Sequence, residues 1–326
     1  TSVVCHSLSD VPDIIDTWNE GKVADVEGYY ENAKINRVYV DRVHVKKAFA
    51  EYTAAYNADD PKIKLKIDHT YRVAALCERI AKAAGMCAYD VELAWLSGML
   101  HDVGRFEQIK RYNTFSDADS VDHAKFGADL LFKDGLISTF LNGMVKCTGY
   151  KPGALEDRYS SDGVFLYDRL NKSDMEMLEL AIRCHNMYRI PQGLNRREQA
   201  FCNVLRDADK VDIFKVNIDT PLEEIYNTTT EELMKSDITD EVLEAFDEEH
   251  CILKAIRRTP ADTVIGHVSL AYELVYDESV RITVEQGYLA KLMHFNSDNE
   301  ETNRKMAMVR EKMDSYVKKR IGEKDA

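Results

Sequence analysis

An all-α fold is what this sequence predicts, and three observations predict it. Apolar residues recur at three- and four-residue spacing through most of the chain, the period of helices. The breaks between these runs fall at proline, glycine or polar clusters, such as NADDP at 57–61. The one strand candidate is the short stretch Arg37–Val43.

Residues 1–39 are mixed and weakly periodic, and form an N-terminal segment of unassigned structure. From Val40 the pattern turns helical, with Val43, Val45, Ala48, Tyr52 and Ala55 as apolar positions up to Tyr56. NADDP ends that run, since proline lacks a donor and disfavours helix in the residue before it. A second helix is expected after His69, with Val73, Ala74, Cys77, Ile80, Ala81 and Ala84 on one face and Gly85 as its stop. A third starts near Asp90. Toward its end Leu93, Leu96, Leu100 and Val103 share a face and drive into the pair His101–Asp102 of WLSGMLHDVGRF (95–106). Gly104 is expected to let the chain turn away in a conformation other residues avoid.

Residues 116–120 are polar and loop-like, and HAKFGADLLF (123–132) forms a fourth helix. The stretch 149–173 is mostly polar and long for a loop in a compact domain, which suits a lid over a site. Helix returns at Asp174–Tyr188, breaks at Pro191 and Gly193, and resumes from Asn195 through Phe214. From Pro221 amphipathic helices follow, ending in a charged, exposed tail helix around 298–320. The expected division is a helical metal-binding domain at 40–220 and a C-terminal helical extension at 221–326, packed on the same core.

Fifty-seven acidic residues against 43 Lys and Arg give a net charge of −14. That balance excludes general binding to long nucleic acids or anionic membranes and leaves room for a local basic pocket. Seven scattered cysteines, with no Cys-x-x-Cys, form no disulfide framework and suit a reducing compartment. TSVVCHSLSDVPD has neither a basic start nor an apolar core, so no signal peptide is expected in it. No apolar run approaches the roughly eighteen residues of a membrane span. The expected location is cytoplasmic.

The chemistry gathers on a few residues. His101 and Asp102 sit at the inner end of an apolar helix, where an unpaired carboxylate is costly. A bound cation is one partner that satisfies a neutral imidazole and a carboxylate together. His69, His123 and His185 stand in or beside other predicted helices, and the acidic cluster RDADKVD supplies Asp207, Asp209 and Asp212. Helix ends converging in a bundle build metal sites from such ligands. His69 is read as opening a helix, His101–Asp102 as closing one, and His123 as opening another.

His69, HDVGR at 101–105 and Asp209 in ADKV resemble the H…HD…D motif of the HD-domain superfamily, over roughly Val40 to Lys215. The resemblance implies an all-α HD-domain bundle and a metal-dependent phosphohydrolase. His123 and His185 resemble the two further histidines of its binuclear branch, which includes the HD-GYP phosphodiesterases. The chain departs from that group at Asn186, where a second histidine is the pattern, and at IPQGL (190–194), where GYP is absent.

Carried over, the resemblance places His69, His101, Asp102 and Asp209 around a first metal and His123 and His185 around a second, with Asp102 bridging. One or two divalent ions (Fe, Mn, Zn, Ni, Co or Mg) are the implied cofactor. Activated water would then attack a small phosphorylated substrate, a nucleotide by preference. Asp102, Arg105 and Lys210 are the expected catalytic residues, the two cations steadying phosphoryl oxygens. Asp209 is preferred to Asp207 as ligand because it occupies the motif's Ala-Asp position. Residues Arg183 to Lys215 carry seven basic side chains against four acidic ones, which suits a phosphate ligand. The same ligand set also resembles the superfamily's di-iron oxygenases, and a non-catalytic metal-containing sensor is the third reading.

Overall fold

The computed structural model describes residues 40–57, 59–141 and 172–322. These form two compact units, one up to Leu205 and one from Arg206 onward. Among the described residues every regular element is helical. The strand expected at Arg37–Val43 is not found where it can be followed, because α1 (Arg42–Thr53) has already begun. Its start is set by Asp41, whose carboxylate accepts the backbone N–H of His44 at 2.9 Å. The segment 1–39 and the expected lid, up to residue 171, lie outside the described residues.

In the first unit α2 spans Pro61–Ala83. The expectation that this helix opens at His69 is wrong, and the reason is local. Asp60 caps the helix by accepting Lys62 N–H at 2.8 Å. Pro61 then takes the first position, where a missing donor costs nothing. His69 is therefore two turns inside the helix and fully buried. The far end matches the sequence reading: Gly85 adopts φ +74, and Gly85 N and Met86 N close on Lys82 O and Ala81 O.

Helix α3 (Ala88–Leu100) is buried on nearly every side, and Leu93, Leu96 and Leu100 are inaccessible. It packs along α2. The two approach so closely that a Cβ on Gly98 would lie 2.6 Å from Ala74 Cα. Arg42 fastens α1 across both, donating to Glu92 at 2.8 and 2.9 Å and to Glu78 at 2.6 Å.

After His101 and Asp102 the chain does not turn away at Gly104. It continues as α4 (Val103–Tyr112), and Gly104 sits in that helix without a positive φ. Its lack of a side chain serves contact instead. A Cβ there would lie 2.5 Å from His123 O and 2.7 Å from Gly127 N, so α4 and α5 (His123–Ala128) touch backbone to backbone.

Helix α5 runs into one π-helical turn at Asp129–Lys133. Helix α6 (Ile137–Leu141) returns to α1. Helix α7 (Lys172–Cys184) packs on α3 and α5 and ends before His185, four residues short of the expected Tyr188. Phe106 anchors the middle of the unit, edge-on to Phe49 and Tyr52 at 5.9 Å each. Such aromatic pairs add about 0.5–1.5 kcal/mol each beyond area burial.

Helix α8 (Arg196–Asp219) carries the chain into the second unit. There follow α9 (Leu222–Tyr226), α10 (Thr230–Lys235), α11 (Asp240–Asp247), α12 (Pro260–Val268), α13 (Asp277–Gln286), α14 (Tyr288–Met293) and α15 (Glu300–Ile321). Asp207 is buried and accepts Val275 N and Tyr276 N at 2.9 Å and Ser279 Oγ at 2.7 Å, so its carboxylate ties α8 to the start of α13. The tail helix α15 is not the exposed element expected. Thr302, Met306, Val309, Met313, Val317 and Ile321 recur at three and four residues and bury one face against α11, α13 and α14. No helix among the described residues is long and apolar enough to cross a membrane.

Candidate metal centre

The first unit brings together His69, His101, Asp102, His123 and His185, each at most 5 % exposed. They come from the body of α2, the α3–α4 junction, the first residue of α5 and the end of α7. Asp102 lies at the middle. Its Oδ2 is 3.6 Å from His69 Nε2 and 3.5 Å from His101 Nε2. Its Oδ1 is 3.5 Å from His123 Nε2 and 3.8 Å from His185 Nε2. Each carboxylate oxygen thus faces one pair of imidazoles through the same ring nitrogen. Ligand atoms of His101, Asp102 and His185 all lie within 4.8 Å of one another.

Outward-facing ring nitrogens decide what the inward-facing ones are. His101 Nδ1 sits 2.8 Å from Gly98 O and His185 Nδ1 2.7 Å from Ile182 O. His123 Nδ1 sits 2.6 Å from Asp117 Oδ2. Carbonyl and carboxylate oxygens only accept, so each Nδ1 carries a proton, and a ring that is neutral then turns its lone pair inward. His123 Nε2 and His185 Nε2 face each other at 3.1 Å, two acceptors when both rings are neutral. Burial, with the charge of Arg105, pulls His123 down to about 4 against the pull of Asp117, so the ring is neutral near pH 7. Two buried acceptors at that distance repel, and a cation bound by both removes the conflict.

Charges around the cluster are arranged in pairs. Lys66 Nζ donates to Asp102 Oδ2 at 2.8 Å, and Arg105 Nε lies 3.8 Å from Oδ1. Burial opposes ionisation of Asp102, yet the positive charges around it, Lys66 foremost, carry its carboxyl well below the usual range. Burial likewise opposes ionisation of Asp117, but the His123 bond and Arg105 hold it far below its ordinary value. Both are carboxylates near neutral pH.

A family model described as HD domain matches residues 67–257, more than half of the chain. The chain belongs to the HD-domain family. No curated protein and no solved structure matches it significantly. HD domains are typical of metal-dependent hydrolases, and this HD domain holds His/Asp clusters able to take a divalent ion.

Of the other expected site residues, Arg105 is beside Asp102, but its Nη1 is committed to Phe115 O and Gln108 Oε1 at 2.7 Å and Asp117 Oδ1 at 2.9 Å. Asp209 and Lys210 lie on the part of α8 that belongs to the second unit. Burial and neighbouring Arg206 lower the Lys210 ammonium below its ordinary value, against the pull of Asp207 and Asp209. The basic excess at 183–215 is partly spent on the fold. Arg183 binds Asp129 and Glu179, and Arg197 bridges Asp90 and Asp174 at 2.7 Å each.

Sequence reasoning missed Lys66 and Asp117. Lys66 had one usable signal, its place one turn before His69 on the same helical face. Asp117 had none beyond lying in the polar stretch SDADS.

Proposed function

We propose that this HD-domain protein is a metal-dependent phosphohydrolase that acts on a small phosphorylated molecule, a nucleotide being the favoured class. The observation that carries the reading is the set of four buried imidazoles turned through Nε2 onto the two oxygens of Asp102. His69, His101 and Asp102, with Asp209 completing the H…HD…D order along the chain, would hold a first divalent ion. His123 and His185, sharing Asp102, would hold a second.

Cations bound there supply a water of lowered pKa and a positive charge that polarises a phosphoryl oxygen. The chain's own residues prepare the rest. Lys66 keeps Asp102 ionised and in place. The three Nδ1 acceptors hold the rings in the tautomer that presents Nε2. Arg105, whose Nε is buried without a hydrogen-bond partner, is the cation proposed to steady a phosphoryl oxygen, in a bond that charge strengthens. Lys210 is proposed as a second such cation on the ground of its place in ADKV.

Two measurements on the whole chain test this reading. Metal analysis of protein purified without added metal is expected to find one or two divalent ions per chain, and metal-replete protein to release phosphate from a panel of mono- and diesters. Asp102→Ala is expected to lose both properties while keeping its helical circular dichroism. Retention of metal by that variant would refute the assignment of Asp102.

The imidazole-rich donor set also suits iron. Two irons per chain, oxygen consumption with a polyol or phosphonate, and no phosphate release would replace the hydrolase with an oxygenase.

A further inference from the structure

We infer that Asp117 is the positioning residue of the second metal position: its carboxylate sets the orientation and tautomer of His123. The inference rests on the metal-binding reading above and adds a residue to it.

The histidines stand at different places in their helices. His101 and His185 follow the last turns of α3 and α7, and each finds its Nδ1 acceptor three residues back, at Gly98 O and Ile182 O. Helix geometry supplies that acceptor without any special side chain. His123 is the first residue of α5, so no helical turn precedes it. Its acceptor must come from elsewhere, and it is Asp117 Oδ2 at 2.6 Å.

Asp117 is itself held. Its Oδ1 accepts Arg105 Nη1 at 2.9 Å and Gln108 Nε2 at 3.0 Å. Gln108 is inaccessible to solvent and also donates to Ser120 Oγ at 2.9 Å and Val121 O at 3.0 Å, which fixes the loop leading to α5. Arg105 thereby acts on His123 through Asp117. A carboxylate can only accept, so His123 must keep its proton on Nδ1 and its lone pair on Nε2. An amide at the same place can present NH2 instead, which moves the proton to Nε2 and closes that nitrogen to a cation. Partners of this kind typically change metal affinity 10- to 100-fold.

Binding of Co(II) to the full chain, followed by calorimetry, tests the inference together with nitrogen-15 NMR of the histidine rings in metal-free protein. Asp117→Asn is expected to weaken the second Co(II) about 10- to 100-fold, to leave the first unchanged, and to move the ring proton of His123. Asp117→Glu, which keeps an acceptor-only group, is expected to recover part of the affinity and the wild-type tautomer. Ser120→Ala loosens the loop without touching the carboxylate–imidazole pair and serves as the control. If Asp117→Asn binds Co(II) as wild type does, or if Ser120→Ala weakens the second ion equally, Asp117 is only a loop anchor and the inference is overturned. Should wild type bind no Co(II), the metal reading fails. The His123 tautomer, read without metal, still decides the role of Asp117.

Discussion

Replacing Gly104 by alanine sets two known effects against each other at the backbone contact that seats His123. Alanine is favoured over glycine in a helix interior by about 1 kcal/mol. Against that gain, the new Cβ would lie 2.5 Å from His123 O, 2.7 Å from Gly127 N and 2.9 Å from Gly127 Cα. Carbon contacts settle at roughly 3.5–4.0 Å, so α4 and α5 must part by about 1 Å. All three obstructing atoms are backbone and cannot rotate aside. Overpacking of this kind costs about 1–3 kcal/mol, and the shortest contact argues for the upper end. The net expectation is a loss of about 2 kcal/mol, or roughly 4–8 °C in Tm for a unit of this size.

Gly127→Ala is the matched control. It gains the same propensity but meets Gly104 N at 3.0 Å and Cα only at 3.4 Å, so it should be close to neutral. Urea unfolding of both variants at matched metal content gives the comparison. Gly104→Ala equal to or more stable than wild type, or no less stable than Gly127→Ala, would refute the reasoning, because propensity would then outweigh the contact.

Two further outcomes are expected. Asp207→Ala strands the buried donors Val275 N, Tyr276 N and Ser279 Oγ and should cost on the order of 3 kcal/mol in urea unfolding. Asp207→Asn, which keeps one acceptor, should cost less, and equal losses would contradict the assignment. The Arg42 hydrogen bond, against burial, holds Glu78 below its ordinary value of 4.5, so the bridge stabilises above that pH and its contribution fades as pH falls through the folded value. The stability difference between Arg42→Met and wild type should therefore be larger at about pH 7 than at about pH 3, and an unchanged difference would exclude the linkage.

The parts of the fold legible in the sequence are those with a repeating pattern. Leu93, Leu96 and Leu100 announce α3 because a buried helix has to repeat its apolar face. The four histidines and Asp102 stand out as polar groups beside such faces, and they do meet. What the sequence hid depends on context rather than period. Pro61 can end one helix or begin the next, and only the Asp60 cap decides it, so from the sequence alone His69 reads as a helix start. Gly104 reads as a turn in isolation, yet its role is set by Gly127, 23 positions on. The charged surface of α15 masked a narrow apolar stripe. Asp117 belongs to no pattern, because an acceptor for one ring nitrogen needs a single carboxylate at the right point in space.

The charges bear on the proposal that the substrate is a small anion. Within the first unit Lys66 is matched by Asp102 and Arg105 by Asp117, so the cluster is close to neutral before any cation enters. Each divalent ion bound there would therefore add nearly its full charge to a buried site, where solvent screens it poorly. The chain as a whole carries −14, and that surface opposes a long polyanion over its entire length. A small phosphorylated molecule presents its charge only where the site is positive, within about one Debye length of 8 Å. On the proposed reading the same field would draw such a molecule in and turn a nucleic acid strand away, which is the ground for proposing a nucleotide-sized substrate over a polymer.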